Sequence, residues 1–97
     1  MLAGERRRSF SIASAPADGP RLVLHVRRAS SGEFTTHLFE RRPVGELLRI
    51  EGPLGQLTFR SDSPRRALFV AGGTGYAPLR AMLRQLIADR DPRPVTL

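Results

Sequence analysis

The run Ala67-Leu68-Phe69-Val70-Ala71-Gly72-Gly73-Thr74-Gly75-Tyr76-Ala77-Pro78 constrains this chain more than any other stretch. A short apolar segment passes into three glycines within four residues, and a proline then opens an amphipathic stretch. That order predicts a buried strand, a tight turn and a helix start. Leu68 to Ala71 is continuously apolar, as strands buried on both faces are. After the turn, Leu79, Met82, Leu83, Leu86 and Ile87 recur at helical spacing, with Arg80, Arg84, Asp89 and Arg90 outside that stripe. Pro78 suits the first helical turn, where its missing N–H would have been unpaired anyway. Asp91-Pro92 stops the helix, and Pro94 to Leu97 reads as the start of another strand. A turn of this form can bring backbone N–H groups against phosphate oxygens, which suggests a nucleotide site. A purely structural strand-to-helix turn is the competing reading. The run is not the G-x-G-x-x-G fingerprint, because Pro78 stands where the last glycine would fall.

The preceding residues follow a different pattern. Arg8 to Ser14 reads as a short strand, ended by Ala15-Pro16 and the turn signal Asp18-Gly19-Pro20. Arg21 to Arg28 follows as a strand, with Leu22, Leu24 and Val26 on one face and Val23, His25 and Arg27 on the other. Asp18-Gly19 between two strands predicts a wide antiparallel hairpin. Ala29 to Gly32 is a turn. Thr35 or Thr36 is expected to cap a short helix that buries Leu38 and Phe39 and ends before Pro43. Pro43 to Glu46 forms a turn, Leu47 to Ile50 a strand, Glu51-Gly52-Pro53-Leu54-Gly55 a tight loop, and Gln56 to Arg60 another strand. Ser61 to Arg66 is a polar linker containing Pro64, which places the domain boundary between 62 and 66.

Composition narrows the function classes. The 97 residues give room for one small domain at most. There is no cysteine. Disulfides, thiol catalysis and a cysteine-held iron–sulfur cluster are therefore excluded within these residues, and no metal site is expected. No apolar run approaches the ~18 residues of a membrane span, and Met1 to Arg8 has no apolar core behind its basic residues, so a cytoplasmic location is expected. The net charge is +7, and all 16 basic residues are arginine. They lie in scattered pairs (Arg27-Arg28, Arg41-Arg42, Arg65-Arg66) rather than along one helix or stripe. The five Phe and one Tyr are not interleaved with them as a stacking platform requires. Nucleic-acid binding would rest on charge alone, and is not expected. Solvated surface charge, or a docking face for an acidic protein, fits better.

Four local patterns stand in order: Arg8-Ser9-Phe10-Ser11, Leu24-His25-Val26-Arg27, Gly32-Glu33-Phe34-Thr35 and Gly72 to Pro78. Arg8 offers a cation for phosphates, Phe10 a flat apolar surface and Ser11 a small donor. A surface Arg beside a core Phe is the plainer reading of that motif alone. Gly32 permits close backbone approach, and the N–H groups of Phe34 and Thr35 with the Thr35 hydroxyl can meet a diphosphate. An ordinary helix cap at Thr35 is compatible with this. His25 has no carboxylate at local spacing and reads as structural rather than as a base; His37 is weaker still.

Together, over roughly Arg7 to Leu97, these patterns resemble the ferredoxin–NADP⁺ reductase superfamily. The likeness is greatest to its bacterial NAD(P)H–flavin reductase, dioxygenase-reductase and deoxy-sugar (CDP-6-deoxy-glucoseen) reductase branch. Arg-Ser-Phe-Ser-Ile-Ala-Ser and Glu-Gly-Pro-Leu-Gly are particularly similar to that branch. The resemblance implies a β plus α/β chain: part of a Greek-key antiparallel flavin-binding barrel over 1–62, then the first β-α-β of a Rossmann-like NAD(P)-binding domain over 66–97. It implies FAD contacts at Arg8, Phe10, Ser11, His25, Val26, Gly32, Phe34 and Thr35, with Phe10 in place of the family's usual Tyr and the diphosphate turn favouring FAD over FMN. It implies NADH or NADPH contacts at Gly72, Gly73, Thr74, Gly75 and Pro78. Ser11 would lie near the flavin N5, and Thr74 where nicotinamide meets flavin. Glu51 to Gly55 resembles a structural G-P-x-G turn.

The implied activity is hydride transfer from NAD(P)H to FAD, with electrons passing to an acidic ferredoxin, another iron–sulfur protein or free flavin. The family's barrel begins several strands before the Arg motif, and only seven residues precede Arg8. The family's α/β domain also runs well past a second strand. The chain is therefore expected to be a fragment of the larger architecture. One alternative is a non-catalytic remnant that does not retain flavin; a small basic nucleic-acid-binding protein is the outsider.

Overall fold

The computed structural model describes residues 7–28, 32–41 and 44–97. The basic residues 1–6, most of the turn expected over Ala29 to Gly32, and Arg42 with Pro43 lie outside the described residues. The chain divides into two compact units that interleave in sequence. One draws on the segments Met1–Ser9 and Val26–Gln56, the other on Phe10–His25 and Leu57–Leu97.

The second unit contains the expected strand–turn–helix–strand. Strand β1 (Ala67–Leu68) pairs in parallel with β2 (Val95–Thr96), Ala67 opposite Val95 and Leu68 opposite Thr96. The Ala67 N–H donates to the Pro94 carbonyl at 2.9 Å and the Phe69 N–H to the Thr96 carbonyl at 2.8 Å. The helix between them spans Tyr76–Ala88, and its Leu, Arg, Ala, Met and Gln residues are strong helix formers. A Schellman turn ends it. Arg90 takes the left-handed conformation (φ 54°), its N–H bonds the Ile87 carbonyl, and the Asp91 N–H bonds the Leu86 carbonyl.

This unit's core is Ala13, Ala15, Phe69, Ala77, Leu79 and Leu86. Phe69 meets Phe59 edge to face at 6.4 Å, and the Arg93 guanidinium covers the Phe59 ring at 4.5 Å. Arg93 also reaches the carbonyls of Arg60 and Ser61 and both oxygens of Asp91, tying the linker to the segment before β2. The Arg93 backbone N–H, then its side chain, hold the Asp91 carboxyl below the usual range.

Two apolar expectations are corrected. Leu68 and Val70 are 72% and 84% exposed while Phe69 is buried, so this strand is covered on one face, not two. Successive side chains alternate across a strand, and burial of the second face needs a second layer. Ile87 is exposed at the helix's far end, whereas Leu79 and Leu86 are buried.

The wide hairpin is present as one antiparallel bridge, Ile12 to Leu24, with the Ala13 N–H donating to the Val23 carbonyl at 2.7 Å. The Ser14 hydroxyl accepts from the Val23 N–H at 3.0 Å. A 3₁₀ turn at Pro16–Asp18 and Gly19 at φ 93° reverse the chain. The Arg84 guanidinium grips this reversal, meeting both Asp18 oxygens at 2.7 to 3.0 Å. Gln85 Oε1 accepts from the Ala17 N–H at 2.9 Å.

In the first unit, α1 (Glu33–Thr36) runs into a wider π turn over His37–Arg41. Helix α1 starts too early for Thr35 or Thr36 to be its cap. Both hydroxyls instead donate back to the Gly32 carbonyl, at 3.1 and 2.7 Å. The π turn changes the angular spacing after Thr36, and Phe39 is exposed rather than buried. Arg28 pairs with Glu40, His37 Nε2 lies 2.9 Å from Glu46, and Arg7 lies 3.1 Å from Glu51. The strands expected over 47–50 and 56–60 form no ladder among the described residues. Leu47, Ile50, Leu54 and Leu57 are exposed. Extended backbone is assigned as strand only where a neighbour accepts and donates its hydrogen bonds. The expected part of an antiparallel barrel is accordingly not seen as a sheet among the described residues.

The Asp18 pair carries a pH signature. Arg84, then the Ala15 N–H, lower the Asp18 carboxyl from 3.8 to about 2. A carboxyl lowered on folding stabilises the fold above its unfolded value and loses that contribution as pH falls toward its folded value. Acid unfolding should therefore steepen between pH 3.8 and about 2. Asp18→Asn should flatten that part of the curve; parallel curves would contradict the assignment.

Candidate functional site

The glycine turn sits between β1 and the long helix, hereafter α2 (Tyr76–Ala88). Gly72 is extended, Gly73 is left-handed at φ 55°, and Gly73–Gly75 form one 3₁₀ turn. The Gly75 N–H bonds the Gly72 carbonyl at 3.0 Å, and the Tyr76 N–H turns back to the carbonyls of Gly73 and Thr74. Gly72, Gly73, Thr74 and Gly75 are all exposed. A Cβ at Gly72, Gly73 or Gly75 would meet nothing within 4 Å, so the space before the turn is open to a ligand. Only Gly73 needs glycine for its own backbone. No acidic residue lies between Asp62 and Asp89. The positive end of the α2 dipole and the leading N–H groups of the turn thus meet no local carboxylate of their own segment. The donor set fits a pyrophosphate. Pro78 is the third residue of α2, inside the first turn.

Phe10, Ser11 and His25 belong to the same unit as this turn. Phe10 is half-buried; Ser11 is exposed, and its hydroxyl makes no hydrogen bond among the described residues. His25 lies against Tyr76, ring centroids 6.3 Å apart and planes 25° apart, with no carboxylate partner among the described residues. Arg8, Val26, Gly32, Phe34 and Thr35 fall in the first unit. Arg8 is exposed and donates to the Arg7 carbonyl at 2.7 Å, and no carboxylate among the described residues neutralises it. Its charge suits a phosphate. Thr35 is buried, and its hydroxyl proton is directed to the Gly32 carbonyl. A hydroxyl has one proton to give. Donation from Thr35 to a phosphate requires it to rotate, leaving Thr36 on that carbonyl.

Two oxidoreductase family models match in succession. The FAD-binding domain model covers residues 2–59 and the NAD-binding domain model residues 69–97. The chain belongs to the ferredoxin–NADP⁺ reductase superfamily. Among curated relatives of this superfamily, it is 41% identical over 95 residues to CDP-6-deoxy-L-threo-D-glycero-4-hexulose-3-dehydrase reductase of Yersinia pestis, covering 98% of this chain and 29% of that protein. It is 48% identical over 81 residues to ferredoxin–NADP reductase B of Sorangium cellulosum, covering 84% of this chain and 33% of the relative. It is 40% identical over 91 residues to methane monooxygenase component C of Methylosinus trichosporium, covering 94% and 26%. The chain thus spans between a quarter and a third of these superfamily members. No solved structure matches it. No helix among the described residues is long and apolar enough to cross a membrane, and no cluster of metal-ligating side chains occurs among them.

Sequence patterning missed the polar face of α2. The periodicity places Arg80 and Arg84 outside the apolar stripe and names no partner for them, yet the Arg80 guanidinium donates to the Ala13 carbonyl at 2.6 Å and Arg84 holds Asp18. Helical periodicity identifies an apolar stripe but not what the polar stripe will meet. The usable signal was two arginines four residues apart with a lone Asp in an upstream turn.

The turn's backbone requirement gives a direct test. Gly73→Val places a β-branched residue at positive φ, a cost that corresponds to about tenfold or more in affinity. In the FAD-loaded protein it should raise the Kd for NAD(P)H by that factor and leave FAD content unchanged. An unaltered Kd would remove the turn from the nucleotide site.

Proposed function

We propose that this chain supplies flavin- and nicotinamide-nucleotide-binding parts of an NAD(P)H-dependent flavoprotein reductase. The observation that carries the reading is the open glycine turn between β1 and α2, in the same unit as Phe10 and Ser11. Residues 1–62 belong to the FAD-binding part and 66–97 to the NAD(P)-binding part of a barrel-plus-α/β architecture. FAD, favoured over FMN, supplies acceptance of hydride from NADH or NADPH and release of electrons to an acceptor. That acceptor is an iron–sulfur protein such as an acidic ferredoxin, or free flavin, and the arginine-rich surface suits an acidic partner. The relatives' names, a ferredoxin–NADP reductase and a methane monooxygenase component among them, support this reading. A cytoplasmic setting is part of the proposal.

The chain's own residues bind and orient. Arg8 neutralises phosphate charge. Phe10 offers an apolar face to the flavin ring, and Ser11 a hydroxyl donor toward its N5. His25 and Val26 contribute backbone groups. Gly32, Phe34 and Thr35 serve the diphosphate, the Thr35 hydroxyl after leaving the Gly32 carbonyl. Gly72, Gly73 and Gly75 let a pyrophosphate approach the backbone, Thr74 faces the nicotinamide, and Pro78 fixes the first turn of α2. No protein base is required on a hydride path.

A second reading, in which these 97 residues alone do not retain flavin, is favoured by the exposure of Leu47, Ile50, Leu54 and Leu57. A colourless isolated chain supports it; a yellow one with stoichiometric FAD does not. The residue-level test is Arg8→Ala in the FAD-loaded protein. Loss of one charge-assisted phosphate contact corresponds to about ten- to a hundredfold weaker FAD binding. Unchanged FAD affinity would remove Arg8 from the site.

A further inference from the structure

Tyr76, Arg80 and Arg84 are spaced four apart and form one stripe along α2. Each meets the hairpin segment that carries Phe10 and Ser11. At the head of the helix, Tyr76 stacks on His25. One turn later, Arg80 Nη1 donates to the carbonyl of Ala13, a fully buried residue. After another turn, Arg84 holds Asp18 with a two-pronged grip, and neighbouring Gln85 accepts from the Ala17 N–H. The stripe runs about 12 Å along the helix axis.

The ties have a geometric character. Arg80 grips a backbone carbonyl, which fixes the main chain itself. The Arg84–Asp18 pair is part-exposed, where ion pairs add little stability, yet its bidentate form is strongly directional. On the hairpin, Ser11 precedes the bridge residue Ile12, and Ala13 follows it. On the helix, Gly72 to Gly75 run directly into Tyr76. The stripe therefore joins the residues assigned to the flavin ring to the turn assigned to the nicotinamide nucleotide.

We propose that Tyr76, Arg80 and Arg84 are positioning residues that set the register between the Gly72–Pro78 turn and Phe10-Ser11, and through it the rate of hydride transfer. This rests on the functional reading above. Loosening the stripe leaves each nucleotide's own contacts in place and alters only their mutual placement. A displacement of about 1 Å at a reacting centre costs up to about a hundredfold in rate.

The test uses the FAD-loaded protein under anaerobic conditions, with Arg84→Gln, Asp18→Asn, Arg84→Lys and the exchange Asp18→Arg with Arg84→Asp. Four quantities are measured: bound FAD, Kd for a non-reducing NAD(P)H analogue, the rate of flavin bleaching at saturating NAD(P)H, and the long-wavelength absorbance of nicotinamide against flavin. The single variants, Arg84→Lys included because it lacks the planar fork, should bleach about tenfold more slowly or worse, with a weakened band. Their bound FAD and analogue Kd should stay within about twofold, and the exchange should recover most of the rate. Unchanged bleaching would overturn the proposal. So would a joint fall in rate, analogue affinity and bound FAD, which marks a brace for the fold alone. If the unsubstituted protein is not bleached at all, the functional reading itself fails and takes this inference with it.

Discussion

The placement of the hairpin on α2 turns on the directional grip of Arg84 on Asp18, a contact across 66 residues of sequence. A helix lying on two short parallel strands has little sheet to pack against. Here the missing definition comes from the hairpin, whose Ala13 and Ala15 are buried with Ala77, Leu79 and Leu86. Small alanines permit close approach of backbone to helix, and Arg80 then reaches the Ala13 carbonyl. Polar, directional ties and a small apolar core together hold a segment early in the sequence against a helix late in it.

That arrangement gives the glycine turn its meaning. A strand–glycine–helix turn by itself is only an anion-compatible backbone. In this chain it opens onto unfilled space, lacks acidic residues in its own segment, and leads into a helix tied to the hairpin that bears Phe10 and Ser11. The family membership and these local geometries point the same way, and in the function proposed above the fold supplies placement and charge while the cofactors would supply the redox chemistry.

The sequence revealed most where structure is local. The strand, the glycine turn, α2 and β2 all follow from periodicity and from Gly and Pro placement within about thirty residues, a βαβ unit's length. The hairpin was legible from Asp18-Gly19-Pro20, because turn chemistry is local too. Strands over 47–50 and 56–60 were not, since alternation of Leu57 and Phe59 indicates a sheet face but names no partner to complete a ladder. Thr35 was misplaced as a cap because a hydroxyl near a helix start can serve either as a cap or as a back-bond to the preceding turn, and only the backbone decides. The roles assigned to Arg8, Phe10, Ser11 and Thr74 came from resemblance. Arg80 and Arg84 escaped notice because nothing local distinguishes a bridging arginine from a solvated one.

The most direct measurement is an anaerobic titration of the FAD-reconstituted protein with NADH and with NADPH, followed by visible absorbance. The account predicts a yellow protein whose flavin is bleached stoichiometrically by at least one of the two. A yellow protein whose bound flavin neither nucleotide bleaches would contradict it.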